Sequence, residues 1–153
     1  MSCEDKDIDF MRLALKEAGL AFSDGEVPVG AVLVGKDCGI ITVAHNRRES
    51  LLDPTAHAEV IALREGAKIV QNWRLSGAVL YVTKEPCVMC AGAMINARLG
   101  KLVYGCRDSK GGAVESLYTL LDDKRLNHRV DVVSGILEEE CASLLKSFFQ
   151  ERR

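Results

Sequence analysis

Three soft metal ligands and one unattached carboxylate stand at spacings that suit a catalytic zinc site. His57-Ala58-Glu59 is followed, thirty residues after the histidine, by a Pro-Cys-x-x-Cys sequence that holds Cys87 and Cys90. Structural zinc sites are closed by four protein ligands, whereas catalytic sites use three and keep one position for water. The ligand count therefore predicts catalysis by a metal ion. Glu59 is the expected proton carrier.

The charge of this ligand set indicates how a reaction would proceed. Zn²⁺ with two thiolates and one neutral imidazole is formally neutral, so it is a weaker Lewis acid than a zinc ion held by three histidines. The attacking water then needs a base, and we expect Glu59 to take its proton and deliver it to the leaving group. Such a shuttle suits hydrolytic deamination, in which water adds to a ring carbon, a ring nitrogen is protonated and ammonia leaves.

Two other interpretations of the cysteine pair remain open. Cys-x-x-Cys after a strand is also typical of thioredoxin-like redox proteins. That fold uses a cis-proline from later in the chain, and all three prolines here precede Cys90, which disfavours it. A purely structural zinc site would need a fourth ligand, which His45 or Cys106 could provide.

Composition restricts the class of protein. The 153 residues suit one domain over residues 1–153, with 48% hydrophobic and 27% charged residues. The balance of 20 basic and 22 acidic side chains argues against non-specific coating of nucleic acid, so any such contact is expected to be local. The candidates are Arg107, Lys110 and the terminal Arg152-Arg153, beside Phe148-Phe149. The charged start of the chain and the lack of a run of ~18 apolar residues predict a cytoplasmic protein without a membrane partner.

The elements that must position these residues follow from hydrophobic periodicity and turn signals. Their order, αββαβαβαβα, predicts an α/β fold: a three-layer α/β/α sandwich with one mixed five-stranded sheet. Strands joined through a helix are expected to pair in parallel. The predicted helices are 8–22, 56–70, 87–97, 114–121 and 138–150, and the predicted strands are 29–34, 40–44, 78–82, 102–105 and 130–134.

This fold would bring the ligands together. Cys87 and Cys90 are three residues apart in the first turn of a predicted helix, so their side chains lie on one face. The positive end of the helix dipole favours thiolate there. His57 and Glu59 lie in the first turn of the preceding helix, and the ends of parallel strands bring both helix N-termini to one edge of the sheet.

These residues form the H-x-E…P-C-x-x-C signature, and the chain resembles zinc nucleobase deaminases. The resemblance to the bacterial tRNA adenosine deaminases extends along nearly the whole chain. The Asn-His-Arg-Val block and the Phe-Phe-x-x-Arg-Arg ending favour the tRNA enzymes within the superfamily. The matching blocks are 25–32, 53–59, 85–93, 126–130, 139–141 and 148–149.

The resemblance implies a cytidine deaminase-like fold and a reaction. The expected activity is hydrolytic deamination of the wobble adenosine to inosine in a tRNA anticodon, that of tRNA-Arg in bacteria. The expected cofactor is one Zn²⁺ per subunit, and the expected partner is the tRNA anticodon stem-loop. The family forms homodimers, and we expect the Cys-x-x-Cys helix near the interface. The alternatives are a guanine or cytosine deaminase acting on a free base or nucleoside, and a non-catalytic zinc-containing RNA-binding module.

The resemblance also assigns substrate-binding roles. Asn46 would hydrogen-bond the target nucleoside, and three further residues would line its pocket: Val29, Ala58 and Pro86. Flanking anticodon nucleotides would be held by Asp108, Lys110, Asn127, Phe149 and Arg152. Each of three has a simpler alternative: Asp108 as the cap of a turn, Phe149 as a core residue and Arg152 as a solvated terminal charge.

Three residues depart from the family pattern without touching a metal ligand. Lys84 stands where an apolar residue is usual, Cys106 replaces a common alanine and Glu115 replaces a frequent glycine. Cys106 and Glu115 flank the expected RNA-contacting loop. These departures therefore bear on RNA recognition more than on the chemistry.

Overall fold

The structure, a computed structural model, describes residues 3–152, so Arg153 lies outside the described residues. Within this range, five α-helices and five strands alternate broadly as the sequence predicts. Short 3-10 helices occur at Cys3–Lys6 and Leu120–Asp122. The elements are α1 Asp7–Ser23, β1 Gly30–Val34, β2 Ile40–His45, α2 Arg48–Leu51, α3 Ala58–Val70, β3 Val79–Lys84, α4 Val88–Asn96, β4 Lys101–Cys106, β5 Asp131–Val133 and α5 Glu138–Glu151.

The five strands form one mixed sheet in the order β2-β1-β3-β4-β5. β1 runs antiparallel to β2 and to β3, whereas β3, β4 and β5 are parallel. The predicted mixed five-stranded sheet is thereby confirmed. Among the described residues, no helix has both the length and the apolar character that crossing a bilayer requires.

Helices cover both faces of the sheet, as the three-layer prediction required. Successive strand side chains point to opposite faces, and β3 shows this alternation. Leu80 and Val82 join the core under α3 and α4, whereas Tyr81 joins the core under α1 and α5. The ring of Phe10 packs 5.0 Å from that of Tyr81, centroid to centroid.

One predicted helix is wrong. Residues 114–121 form a turn followed by the 3-10 helix, because the backbone N–H groups of Val114, Glu115 and Ser116 donate hydrogen bonds to the buried carboxylate of Glu85. The turn does not propagate, since Thr119 lies outside the helical region at φ −120° and ψ 55°. The four-residue helix α2, in turn, lies in a segment that the sequence predicted to be a loop.

The antiparallel strand β1 brings distant parts of the chain to one edge of the sheet. Gly30 at the start of β1 pairs with His45 at the end of β2, and Ala31 pairs with Val82 near the end of β3. The segments that begin β1 and that follow β2, β3 and β4 therefore meet at this edge. They carry the predicted site residues.

Candidate active site

The first two ligands occupy helix N-cap positions. His57 precedes α3 and Cys87 precedes α4, both with extended backbone, and neither side chain makes a capping hydrogen bond. The sequence had placed both inside the first turn, so the helices begin one residue later than the ligands. The N-cap conformation turns each side chain away from its helix axis, and both are directed toward Cys90, one turn into α4.

The three ligand atoms converge. His57 Nδ1 lies 3.6 Å from Cys87 Sγ and 3.4 Å from Cys90 Sγ. A tetrahedral ion with the usual zinc–nitrogen and zinc–sulfur bond lengths would hold such atoms about 3.6 Å apart. The donor set therefore fits one tetrahedral metal ion. Among the described residues, the cluster able to hold a metal consists of His57, Cys87 and Cys90.

The alternatives for the cysteine pair find no support in this geometry. Cys87 and Cys90 are free thiols. His45, one candidate for a fourth ligand, has its Nδ1 atom 3.0 Å from Glu17 Oε1. Cys106, the other candidate, is buried in the core on the α1/α5 face of the sheet. Neither candidate therefore supplies a fourth ligand to this cluster among the described residues.

The surroundings of the sulfurs favour a thiolate. Hydrogen bonds from Cys90 and from His57 lower the pKa of the Cys87 thiol to about 3, although burial works in the opposite direction. Donation to Cys87, together with burial, raises the pKa of Cys90. The hydrogen bond with Cys87 raises the pKa of His57, and burial opposes it. The cluster thus stabilises negative charge on sulfur, the form that binds metal.

Glu59 lies directly beside the ligands, in the first turn of α3. Its side chain is only 4% exposed and makes a hydrogen bond with Cys90. Burial raises the pKa of Glu59, and the nearby charge of His57 only partly offsets this. A carboxyl group with a raised pKa exchanges a proton more readily near neutral pH, as a general acid–base requires.

Asn46 follows β2 and is held in place by α3. Its Oδ1 atom accepts a hydrogen bond of 2.8 Å from the backbone N–H of Ala58, one of the N–H groups that a helix start leaves without an intrahelical partner. This contact fixes the plane of the amide, so the Nδ2 group has a defined direction. Asn46 is 6% exposed.

A cleft of about 210 Å³ opens over these groups. Several predicted residues meet there: the metal ligands His57 and Cys87, the carboxylate of Glu59, and four of the predicted substrate contacts, Val29, Asn46, Asp108 and Phe149. Drug-sized ligands usually occupy pockets of roughly 300–1,000 Å³, so this cleft suits a single base. Its lining is Val27, Val29, Asn46, Arg48, His57, Glu59, Lys84, Glu85, Cys87, Asp108 and Phe149.

A larger groove of about 940 Å³ adjoins the cleft and carries most of the predicted RNA contacts. Lys84, Asp108 and Phe149 line both concavities, so the two are adjacent and share one wall. Its remaining lining is rich in cations: Arg107, Lys110, Leu145, Lys146, Gln150 and Arg152. The groove therefore has the positive charge that a nucleic-acid backbone requires.

The structure distinguishes the alternatives for three of the groove residues. Phe149 is 51% exposed, whereas its neighbour Phe148 is the core residue at 3%. The guanidinium of Arg152 lies 3.8 Å from the centre of the Phe148 ring, so this terminal charge is ordered by a cation–π contact. Asp108 does cap a turn, through Oδ1 and the N–H groups of Lys110 and Gly111.

Three predicted substrate contacts do not join the lining of the cleft or the groove. Ala58 is fully buried and contributes its N–H to Asn46. Pro86 is buried, and its carbonyl accepts a hydrogen bond from Ala113. Asn127 is exposed in the loop before β5, apart from both concavities of this chain.

Sequence reasoning missed Arg48 and Val27 as cleft residues. Arg48 begins α2, whose backbone N–H groups at Glu49 and Ser50 donate to the buried carboxylate of Glu26. No local periodicity marks so short a helix. The buried acidic residue in a Gly-Glu-x-Pro turn was the available signal.

Comparison with known proteins identifies the family of this chain. The chain matches the MafB19-like deaminase family over residues 4–153, which makes it a deaminase. It is 51% identical to the tRNA-specific adenosine deaminase of Haemophilus influenzae (96% of this chain, 85% of that protein) and 51% identical to that of Bacillus subtilis (94% and 89%). The chain belongs to the family of tRNA-specific adenosine deaminases.

A solved structure supports the same assignment. It comes from studies of A-to-I editing by tRNA:A34 deaminases at the wobble position of transfer RNA. It superimposes with a TM-score of 0.86 at 47% identity, covering 89% of this chain and 98% of the other. The cytidine deaminase-like fold expected from the sequence is thereby confirmed.

Proposed function

We propose that this chain hydrolytically deaminates the wobble adenosine of a tRNA anticodon, that of tRNA-Arg, to inosine. The observation that carries the proposal is the adjacency of two concavities. A base-sized cleft over His57, Cys87 and Glu59 shares Lys84, Asp108 and Phe149 with a cation-rich groove. A deaminase of free bases would need the cleft alone. The groove suits a substrate with flanking phosphates.

His57, Cys87 and Cys90 would hold one Zn²⁺ per subunit. Bound there, the ion would supply Lewis acidity toward water and an open coordination position. The neighbouring protein groups determine the rest of the chemistry. Two anionic sulfurs reduce the effective charge of the site, which increases the need for a base.

Glu59 meets that need as the proton carrier. Its carboxylate takes the proton of the water that adds to C6 of the adenine ring, and returns it to the ring nitrogen N1. A second transfer, to the exocyclic amine, releases ammonia and leaves the C6 carbonyl of inosine. Burial of Glu59 excludes bulk water and raises its pKa, so the carboxyl group can donate as well as accept.

Asn46 and Val29 would orient the base. The Asn46 carbonyl is occupied by the Ala58 N–H, so the amide is left to donate to the nucleoside through Nδ2. Val29 is 4% exposed at the cleft wall and supplies an apolar contact for the ring face. Ala58 and Pro86 would support this wall from within the fold.

The groove residues would bind the rest of the anticodon loop. The exposed ring of Phe149 can stack an unpaired base, a contact worth about 1–3 kcal/mol in single-strand binding. Lys110 and Arg152 would contact phosphates, and Asp108 would contact a flanking nucleotide. A loop substrate whose target base is already unpaired avoids the cost of opening a duplex.

We further propose that the chain forms one domain over residues 1–153, acts in the cytoplasm and assembles as a homodimer with α4 near the interface. Val88, the first residue of α4, is 53% exposed, and Leu117 and Tyr118 are similarly exposed. A second copy would cover apolar surface of this kind, and it would also bring in the exposed Asn127 loop. A light-scattering mass of one chain at micromolar concentration would refute the dimer.

The direct test is an assay of inosine formation. Zinc-loaded protein is incubated with an anticodon stem-loop RNA that carries adenosine at the wobble position, and the product is mapped by an inosine-specific nuclease. Glu59→Ala is expected to retain one metal ion per chain yet lose at least about 10²–10⁴-fold in turnover. The control is Glu49→Ala, an acidic residue of α2 outside the lining of the cleft.

Three outcomes would count against the proposal. Inosine formation at the wild-type rate by Glu59→Ala would remove Glu59 from the mechanism. Deamination of free guanine or cytosine with no action on the RNA would select a free-base enzyme. An RNA-binding protein without turnover, whose cobalt-substituted form shows a closed four-ligand spectrum, would select the non-catalytic module.

A further inference from the structure

Lys84 lies on the boundary between the two concavities. It is the last residue of β3, and its side chain lines both the cleft and the groove. An RNA whose target base lies in the cleft and whose neighbouring nucleotides lie in the groove would carry its backbone across this boundary, where Lys84 is one of the three shared residues.

The Lys84 side chain is held in place before any ligand arrives. Its Nζ atom lies 3.1 Å from Asp108 Oδ2, and the two side chains are 29% and 21% exposed. Asp108 is itself fixed, because its other oxygen accepts hydrogen bonds from the backbone of Lys110 and Gly111 at 3.0 and 3.1 Å. The ion pair uses one of the three N–H donors of the ammonium group.

Four further cations line the groove that the pair borders, Arg107, Lys110, Lys146 and Arg152, so an anion bound there meets net positive charge. The Glu85 carboxylate beside Lys84 is directed at the backbone N–H groups of the loop beyond β4, and Asp108 is matched by Lys84 itself. Arg107, the other charge next to Asp108, lies 3.5 Å from Glu115. Lys84 is thus an ordered cation at the mouth of a cleft, and ordering it beforehand reduces the entropy lost on binding.

We propose that Lys84 binds the phosphate that flanks the target adenosine, with Asp108 as the residue that positions it. This inference rests on the proposed function, because it requires an RNA whose target base enters the cleft. It goes further by assigning a contact to one side chain and one phosphate. Lys84 is then a binding residue, and it takes no part in the proton transfers.

The experiment combines protein and RNA variants. The kcat and KM for an anticodon stem-loop are measured with the wild-type protein, Lys84→Met, Lys84→Arg and Lys68→Met. Lys68 is the matched control, because it is also an ion-paired lysine but lies on the exposed side of α3, 3.5 Å from Glu65. Each protein is assayed with all-phosphate RNA and with RNAs that carry one uncharged methylphosphonate, on either side of the adenosine.

Lys84→Met is expected to raise KM about three- to tenfold with little change in kcat, and Lys84→Arg to restore most of the loss. The slope of log(kcat/KM) against log salt should fall by about 0.7. One of the two methylphosphonates should raise KM similarly in the wild-type protein and have no further effect in Lys84→Met. Lys68→Met should behave as the wild type toward all three RNAs.

The outcomes separate this inference from the proposed function. Inosine formation by the wild-type protein, together with equal methylphosphonate penalties in the wild type and Lys84→Met, would overturn the Lys84 contact alone. An equal loss from Lys84→Met and Lys68→Met would reduce the effect to overall charge and overturn it as well. Lack of turnover of any RNA by the wild-type protein would overturn both.

Discussion

The loop that carries Asp108 depends on one buried carboxylate, that of Glu85. Glu85 is 2% exposed, and its Oε1 atom accepts a hydrogen bond of 3.1 Å from the Asp108 N–H and another from the Ser116 hydroxyl. Its Oε2 atom accepts from the N–H groups of Val114, Glu115 and Ser116 at 2.8–3.2 Å. Glu85→Gln should therefore unfold this loop or destabilise the whole protein.

The magnitude follows from the preference for the ionised form. Burial raises the pKa of Glu85, but hydrogen bonds from Ser116, Glu115 and Asp108 outweigh it and bring the pKa to about 2, against an ordinary value of 4.5. The difference corresponds to about 3 kcal/mol in favour of the carboxylate. Screening by water at the mouth of the cleft makes this energy somewhat smaller. In the variant, the amide NH₂ group would face backbone N–H donors whose hydrogen bonds it cannot accept. We therefore expect Glu85→Gln to lower the free energy of unfolding by about 2–4 kcal/mol.

The assay is urea unfolding of both proteins, loaded with the same metal, across a range of pH. The pKa of Glu85 is lower in the folded state than in the unfolded state. Its stabilisation is therefore present in full above pH 4.5 and is lost as the pH falls toward 2. The difference in the free energy of unfolding between the wild type and Glu85→Gln should be largest near neutral pH and should decrease on acidification. Bound metal is measured in both proteins at each pH, and unfolding is compared only where their metal content is equal.

Glu26→Gln is the matched control for this experiment. Glu26 is also 2% exposed, but among the described residues its carboxylate accepts two hydrogen bonds, from the N–H groups of Glu49 and Ser50. The Glu26→Gln substitution should lower the free energy of unfolding by about half as much as Glu85→Gln. It should leave the hydrogen exchange of the Asp108 loop unchanged. A Glu85→Gln protein within about 0.5 kcal/mol of the wild type, or a difference in the free energy of unfolding that stays constant with pH, would contradict this role of the Glu85 carboxylate.

Three further predictions concern single residues. Gly112→Ala should destabilise the protein about as much as Glu85→Gln, because a Cβ atom there would overlap the Glu85 carboxylate; a calorimetric Tm measures it. Phe149→Ala should leave stability within about 0.5 kcal/mol but raise the KM for RNA roughly 5- to 100-fold through lost stacking, and an unchanged KM would remove Phe149 from RNA binding. Asn46→Ala should cost about 1 kcal/mol of stability, because it removes the acceptor for the N–H of Ala58, and should also raise KM; a thermal melt with the inosine assay checks both.

Local sequence patterns were sufficient to predict the elements whose boundaries depend on residues near them in the chain. The apolar, β-branched runs around residues 29–34 and 40–44 predicted the hairpin that forms β1 and β2, with boundaries within one residue. The 3.6-residue periodicity of residues 8–22 predicted α1, which the structure extends by one residue at each end. Such signals depend on neighbours three or four positions away, so they can be read without the fold.

The metal cluster was also accessible from the sequence, for a different reason. A Cys-x-x-Cys spacing at a helix start fixes two ligands locally, and only His57 requires tertiary structure to approach them. The boundary residues Lys84, Asp108 and Phe149 were not accessible in this way. Lys84 ends β3, Asp108 lies in the loop after β4 and Phe149 lies near the end of α5. The Lys84–Asp108 ion pair spans 24 positions of the chain.

The two errors in secondary structure share one physical cause. In both α2 and the 114–121 segment, backbone N–H groups bind a buried carboxylate far away in the chain, Glu26 for the first and Glu85 for the second. A buried carboxylate is stable only where several donors form hydrogen bonds with it. Glu26 and Glu85 therefore each fix the conformation of the irregular segment that supplies those donors. One segment carries Arg48 and the other lies in the same loop as Asp108, and both of these residues line the cleft. The parts of the fold that local periodicity could not predict are therefore those that shape the entrance for the substrate.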